Sequence, residues 1–265
     1  MKLGTAFIFL LLAGGIAGCG GGTKPEKENV NTDSDWSRFD VGNIVFVDEA
    51  PQTKGSSIYH SVITDPKAYI AEQARTVLST LYYSPSDSIV PVDTLSYFLR
   101  DIEGVSAKDG GNGIISIFYS TRHIEKSFVN NDTTKLMFET RGVLLHELTH
   151  AYQLEPQGIG DYGSSRVFWS FIEGMADAVR IANGGFTAAD RPKGGNYMDG
   201  YRTSGYFFVW LKDNKDPEFL KKFNRSTLEV VPWSYNGAIK YALGEKAEID
   251  ELWHEYQLAV GDIKE

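Results

Sequence analysis

The sequence predicts an α+β fold in which a mixed sheet precedes a helical C-terminal lobe. Short β-rich runs alternate with helical patterns up to about residue 120, and only helical patterns follow. Hydrophobic residues make up 42% of the 265 residues and aromatic residues 13%, which is typical of a packed globular protein. We therefore expect one large domain over residues 39–265.

The N-terminal 18 residues have the layout of a secretory signal peptide. Lys2 is followed by an apolar run too short to span a bilayer as a helix, and then by small residues. The segment ends in Cys19, the only cysteine of the chain, so no internal disulfide is possible. Residues 16–19 resemble the lipobox of bacterial lipoproteins, which implies cleavage before Cys19 and its lipidation. The alternative is an ordinary signal peptide with an accidental cysteine.

The lipobox resemblance implies an extracytoplasmic protein, anchored by lipid in the bacterial cell envelope. Residues 19–38 are rich in Gly, Lys, Glu, Asn and Asp, so they predict a flexible tether between the anchor and the domain. The formal net charge of −9 does not favour binding to nucleic acid. No other segment is long and apolar enough to suggest a membrane span.

The first half of the domain contains the predicted strands and one clear helix. Residues 43–48 form a short β-rich run. Residues 66–83 repeat apolar side chains at helical spacing, with Asp65 as the cap and Pro66 at the first position. Further strands are expected at residues 89–99 and 113–119, separated by turn-forming residues 109–113.

The second half predicts helices only. A helix runs to Gln153, with Thr133 or Thr134 as its cap, and a second helix covers residues 165–182. Four more helices are expected near residues 203–212, 217–223 (capped by Asp216), 234–242 and 247–258.

The segment HELTH at residues 146–150 predicts a metal site. Positions four apart share one face of a helix, so His146 and His150 can hold one ion together. Zinc accepts imidazole and carboxylate ligands, and Glu147 follows at the position from which it can take a proton from water. The apolar residues on both sides of the motif favour this reading over a solvated helix.

A carboxylate on the next predicted helix completes the expected ligand set. Glu173 and Asp177 are four residues apart, so both face one side of that helix. We expect Glu173 to be the third ligand and Asp177 to accept the ring N–H of a ligand histidine. Two alternatives stay open: in one, Asp177 is the third ligand and Glu173 the orienting group; in the other, both are surface charges of an amphipathic helix.

Four ordered blocks of the chain resemble the basic secretory protein family, which consists of zincin-type peptidases of plants and bacteria. These blocks comprise residues 101–107 with 117–124, 142–153, 171–180 and 199–211. The resemblance implies a zincin-like fold, a Zn²⁺ cofactor and a peptide or protein substrate. Tyr152 stands where many members have Trp. The chain is acidic, so the word basic in the family name does not transfer.

Zincins need a donor that stabilises the oxyanion, and they bind extended peptide along an edge strand. Tyr201 is the expected donor, because it opens a helix after a long polar loop; Tyr197 and Tyr206 are alternatives. The first hypothesis is thus a lipid-anchored zinc peptidase. The others are a non-proteolytic cell-surface binding lipoprotein on the same scaffold, and a metallohydrolase of a non-peptide amide or ester.

Overall fold

A computed structural model describes residues 35–264, so the predicted signal peptide, Cys19 and most of the predicted tether lie outside the described residues. The elements, in chain order, are β1 (Asn43–Asp48), α1 (Lys54–Val62), α2 (Pro66–Leu81), β2 (Val92–Arg100), β3 (Ser106–Gly111), β4 (Gly113–Ser120), α3 (Thr121–Ser127), α4 (Thr133–Tyr152), α5 (Arg166–Ala182), α6 (Tyr201–Asn214), α7 (Phe219–Glu229), α8 (Tyr235–Leu243) and α9 (Ile249–Ala259). The predicted order, a mixed sheet first and helices afterwards, is confirmed. Before β1, Trp36 is buried in the core of the domain.

The four strands form one mixed sheet in the order β1-β2-β4-β3. β1, β2 and β4 are parallel, and β3 is antiparallel to β4 at one edge. Alternate side chains of the central strands point into the core, among them the buried Tyr97 and Ile117, which are partners in the β2–β4 register. The opposite faces of these strands carry half-buried and exposed residues, so only one face of the sheet is fully packed.

Strand β3 was not predicted, and its position corrects the sequence analysis. The predicted turn at residues 109–113 is wrong for its first three residues, which pair with β4. The chain reverses at Asn112, which has a φ of 50°, and Gly113, which has a φ of 83°. Asn and Gly adopt positive φ at little cost. The turn of the hairpin is therefore confined to the last two residues of the predicted turn.

The helices that carry the predicted motifs begin and end almost where the sequence places them. The side chain of Ser165 caps α5 by accepting the backbone N–H of Phe168. The cap of α4 is Asp132, which accepts the N–H of Lys135, and therefore neither Thr133 nor Thr134. A carboxylate at this position also interacts favourably with the positive end of the helix dipole.

Helix α5 lies at the centre of the helical region and packs against both α4 and α6. Gly174 makes the contact with α6 possible, because an added Cβ there would lie 2.7 Å from Cβ of Ser204.

Helix α7 starts at Phe219, later than predicted, and Asp216 accepts the N–H of Glu218 before the helix begins. Among residues 35–264, no helix combines the length and the apolar character that crossing a bilayer requires.

Candidate metal centre

His146 and His150 lie one turn apart on α4 and face the same side of the helix. Their rings are perpendicular, with centroids 4.7 Å apart, and the two Nε2 atoms are separated by 3.1 Å. Both side chains are largely buried between α4 and α5. The helix thus presents two imidazole nitrogens to one point, as the spacing of the motif predicts.

Glu173 meets these two nitrogens from α5. Its Oε2 lies 3.3 Å from Nε2 of His146 and 3.7 Å from Nε2 of His150. The residue is 3% exposed, and Oε2 is buried without a well-aligned hydrogen-bond donor among the described residues. A buried carboxylate oxygen with no such donor is costly, so the position calls for a cation or another partner.

The separations of the three donor atoms fit a zinc ion. Zinc binds nitrogen and oxygen at about 2.0–2.1 Å in tetrahedral geometry, which places neighbouring ligand atoms about 3.3 Å apart. The observed separations are 3.1, 3.3 and 3.7 Å. These three residues therefore fit the ligand set that the sequence predicts, although the ion itself is not part of the structure.

Each imidazole is held from behind by a side chain on its Nδ1 atom. Oδ1 of Asp177 lies 2.7 Å from Nδ1 of His146, on the side of the ring away from Glu173. The side-chain amide of Gln153 lies 2.8 Å from Nδ1 of His150. An acceptor on Nδ1 fixes the ring orientation and leaves Nε2 free to bind a metal, as Asp177 does for His146. Gln153 does the same for His150 when its amide is turned to bring Oε1, which has no hydrogen-bond partner among the described residues, to Nδ1. Asp177 therefore occupies the position expected of the orienting carboxylate, and Gln153 is a second orienting group that the sequence analysis missed.

The two histidines titrate in opposite directions because they are buried side by side. Burial disfavours the charged form of His146, but its hydrogen bond to Asp177 and the adjacent carboxylate of Glu173 outweigh burial and raise its pKa. Burial, together with the positive charge on His146, lowers the pKa of His150. Without a metal, the positive charge therefore resides more readily on His146 than on His150.

Glu147 faces a cleft of about 940 Å³ that runs over the three predicted ligands. Burial raises the pKa of its carboxyl, and the positive charge of His146 opposes that rise. Strand β3 forms the opposite wall, where residues 106–110 line the cleft. The backbone of an edge strand thus runs beside the candidate base.

Two tyrosines reach the centre from loops and helix ends. The ring of Tyr201 stacks on His146, with centroids 6.0 Å apart and planes 12° apart, and its φ of 42° is unusual for a residue with a side chain. The hydroxyl of Tyr162 donates to Oε1 of Glu173 at 2.5 Å. Tyr162 was not predicted, because it lies in a glycine-rich loop before α5 whose course is set by distant contacts.

The other tyrosines that were considered as oxyanion donors lie elsewhere. The hydroxyl of Tyr206 donates to the backbone oxygen of Thr187. Tyr197 packs edge-on against Tyr235 and Trp253. Neither lines the cleft, which leaves Tyr201 and Tyr162 as the tyrosines near the three predicted ligands.

The family model described as peptidase of plants and bacteria matches residues 43–256. The chain belongs to the basic secretory protein family. The match covers all four strands and the two helices that carry the candidate ligands, so the suspected family is confirmed over nearly the whole domain. No curated protein and no solved structure matches the chain significantly. Peptidase activity is thus supported by the family description alone.

Proposed function

We propose that this protein is a zinc-dependent peptidase in which Glu147 is the general base. The observation that carries the proposal is the convergence of Nε2 of His146, Nε2 of His150 and Oε2 of Glu173 at separations of 3.1–3.7 Å. Zinc bound by these atoms would act as a Lewis acid, which makes water a strong nucleophile near neutral pH.

Glu147 performs the proton transfers of the proposed reaction. Its carboxylate takes a proton from water as the water oxygen attacks the carbonyl carbon of the scissile bond. When the C–N bond breaks, Glu147 passes that proton to the leaving amine. Burial raises the pKa of this carboxyl toward the working pH, which improves its ability both to accept and to return a proton.

The remaining groups of the cleft orient the reacting atoms. The exposed hydroxyl of Tyr201 is the proposed donor to the developing oxyanion, and the ring of His146 supports it from one side. Tyr162 holds Glu173 through Oε1, so that Oε2 keeps its direction. The free edge of β3 can pair with an extended substrate by backbone hydrogen bonds.

The test compares the wild-type chain with Glu147→Gln for bound zinc and for hydrolysis of a broad peptide library. We expect one zinc per chain in both, and hydrolysis reduced by about 10²–10⁴-fold in the variant. Glu229→Gln, an exposed glutamate on α7, is the matched control and should retain activity. Absence of zinc from both proteins under zinc-replete conditions would overturn the proposal.

Zinc binding without hydrolysis of any peptide would favour the alternatives, a binding protein or a hydrolase of non-peptide amides or esters.

We also propose that Cys19, which precedes the described residues, carries a lipid anchor in the bacterial envelope. Metabolic labelling with a radioactive fatty acid should mark the wild-type chain and leave Cys19→Ser unlabelled. Equal labelling of both would contradict the anchor.

A further inference from the structure

One end of the cleft contains an arginine that is buried and held by three contacts. Arg180 lies on α5 and is 7% exposed. Its Nε donates to the backbone oxygen of Gly185 at 3.1 Å, and its Nη2 donates to Glu139 at 2.9 Å. The ring of Phe186 covers the guanidinium, with the centroid 3.8 Å from Cζ.

Two glycines make room for this guanidinium group. A Cβ on Gly142 of α4 would lie 2.5 Å from Nε of Arg180, and a Cβ on Gly185 would lie 2.7 Å from its Cγ. The helix and the loop therefore approach the arginine as closely as a backbone can. Fixing a planar group in this way removes the entropy cost of ordering it when a ligand binds.

The hydrogen-bonding capacity of Arg180 is not exhausted by these contacts. A guanidinium has five N–H donors, and only Nε and Nη2 have acceptors among the described residues. Arg180 lines the cleft. Its Nη1 is therefore available to a molecule that enters the cleft.

A second arginine lies at the same end. Arg202 of α6 is exposed and lines the cleft, and its Cζ lies 5.7 Å from the centroid of the same Phe186 ring. Its Nη1 donates to the backbone oxygen of Asp190 at 3.2 Å, and Arg202 makes no other hydrogen bond within residues 35–264. Two guanidinium groups thus flank one aromatic ring at the wall of an open cleft.

The carboxylates nearby leave hydrogen-bond donors of both arginines unoccupied. Glu139 is paired with Arg180 and is also hydrogen-bonded to His123. Asp177 is held by His146, and the carboxylate of Asp190 caps the backbone and hydroxyl of Thr187. A pair of helices that needed only the Arg180–Glu139 contact would require neither Arg202 nor the unoccupied Nη1 of Arg180.

We propose that Arg180 and Arg202 form a subsite that binds a carboxylate of the peptide substrate. The carboxylate belongs either to an Asp or Glu side chain or to the C-terminus, since both present the same planar pair of oxygens to a guanidinium. The inference rests on the proposed peptidase function and names the substrate class that this end of the cleft selects.

The net charge of the chain alone would not produce a preference for peptides that carry a carboxylate at this subsite. A protein with a net charge of −9 repels acidic peptides at long range. A preference for acidic peptides would therefore come from local groups, and it should persist at high salt, where long-range repulsion is screened.

The test uses the full chain and two random decapeptide libraries, one with free and one with amidated C-termini. Mass spectrometry of the products gives the residue preference at each position around the cleaved bond. For the wild type we expect either about tenfold enrichment of Asp and Glu over Asn and Gln at one position, or a similar preference for free C-termini. The position enriched, or the difference between libraries, tells which carboxylate is bound.

Three variants isolate the contribution of the subsite. Arg202→Gln should lose the preference, and Arg202→Lys, which keeps the charge, should retain part of it. Arg225→Gln, an exposed arginine on α7 paired with Glu229, is the matched control and should behave as the wild type. Thermal unfolding of all variants should coincide with that of the wild type, because both positions are exposed.

A measurement of peptide binding, independent of hydrolysis, tests the subsite separately from the proposed peptidase function. Fluorescein-labelled peptide pools with Glu or Gln at each position are titrated against Glu147→Gln by fluorescence anisotropy. Charge-selective binding without hydrolysis by the wild type would support the subsite and contradict the peptidase. Cleavage with no preference for acidic residues or free C-termini, or a preference that Arg202→Gln leaves intact, would overturn the subsite while the peptidase stands.

Discussion

Replacing Asp177 with asparagine tests whether the carboxylate behind His146 controls metal affinity. The substitution keeps the shape and one acceptor oxygen but removes the charge from a hydrogen bond of 2.7 Å in a buried site. A hydrogen bond to a charged group contributes about 1.5–3 kcal/mol, and a neutral one about 0.5–1.5 kcal/mol. The expected loss of about 1.4 kcal/mol corresponds to zinc binding weakened by about tenfold.

The dissociation constant of zinc is measured by competition with a chromophoric chelator at fixed pH. Asp213→Asn, an exposed aspartate on α6, is the control and should leave the constant unchanged. Glu173→Gln should weaken binding far more than Asp177→Asn, since it removes a ligand charge. The reverse order would show that the two residues exchange roles, and a change below twofold for Asp177→Asn would refute the reasoning.

Two further predictions concern the same histidine pair. In the metal-free chain, the raised pKa of His146 stabilises the fold below pH 6.5, and this stability is lost as the pH rises toward that pKa. The lowered pKa of His150 has the opposite effect: its contribution to stability is present above pH 6.5 and is lost as the pH falls. Urea unfolding should therefore show a maximum near pH 6.5, and His146→Gln should lose the alkaline decline. A flat profile in the wild type would contradict the opposite pKa shifts of the two histidines. Gln153→Ala should weaken zinc binding by about tenfold, while Gln153→Glu, which can only accept the Nδ1 proton of His150, should not, as the same chelator competition would reveal.

The helices that carry the motif and the candidate ligands could be predicted because their signals are local, whereas the short helices α1 and α3 were not predicted. The HELTH motif carries its geometry in its spacing, and Glu173 follows on a helix whose periodicity and Ser165 cap are visible in the sequence. The suspected family is confirmed by the match over residues 43–256. The assignment of Tyr201 as oxyanion donor stays a prediction.

The features that were missed depend on contacts between distant parts of the chain. Strand β3 is polar and glycine-rich, and it is a strand only because β4 pairs with it. Tyr162 reaches Glu173 along a loop whose course no local pattern reveals. Arg180 looks like an ordinary charge on an amphipathic helix until Gly142 and Gly185 close around it.

Strand β3 also bears on how this protein avoids aggregation. An open strand edge that can receive one extended chain can equally template the pairing of further copies. Here the edge is only six residues long, carries Lys108 and Asp109, and ends in two glycines. It also lines the cleft beside α4. The short, charged and glycine-rich sequence that made this strand difficult to predict thus also restricts what can pair with it.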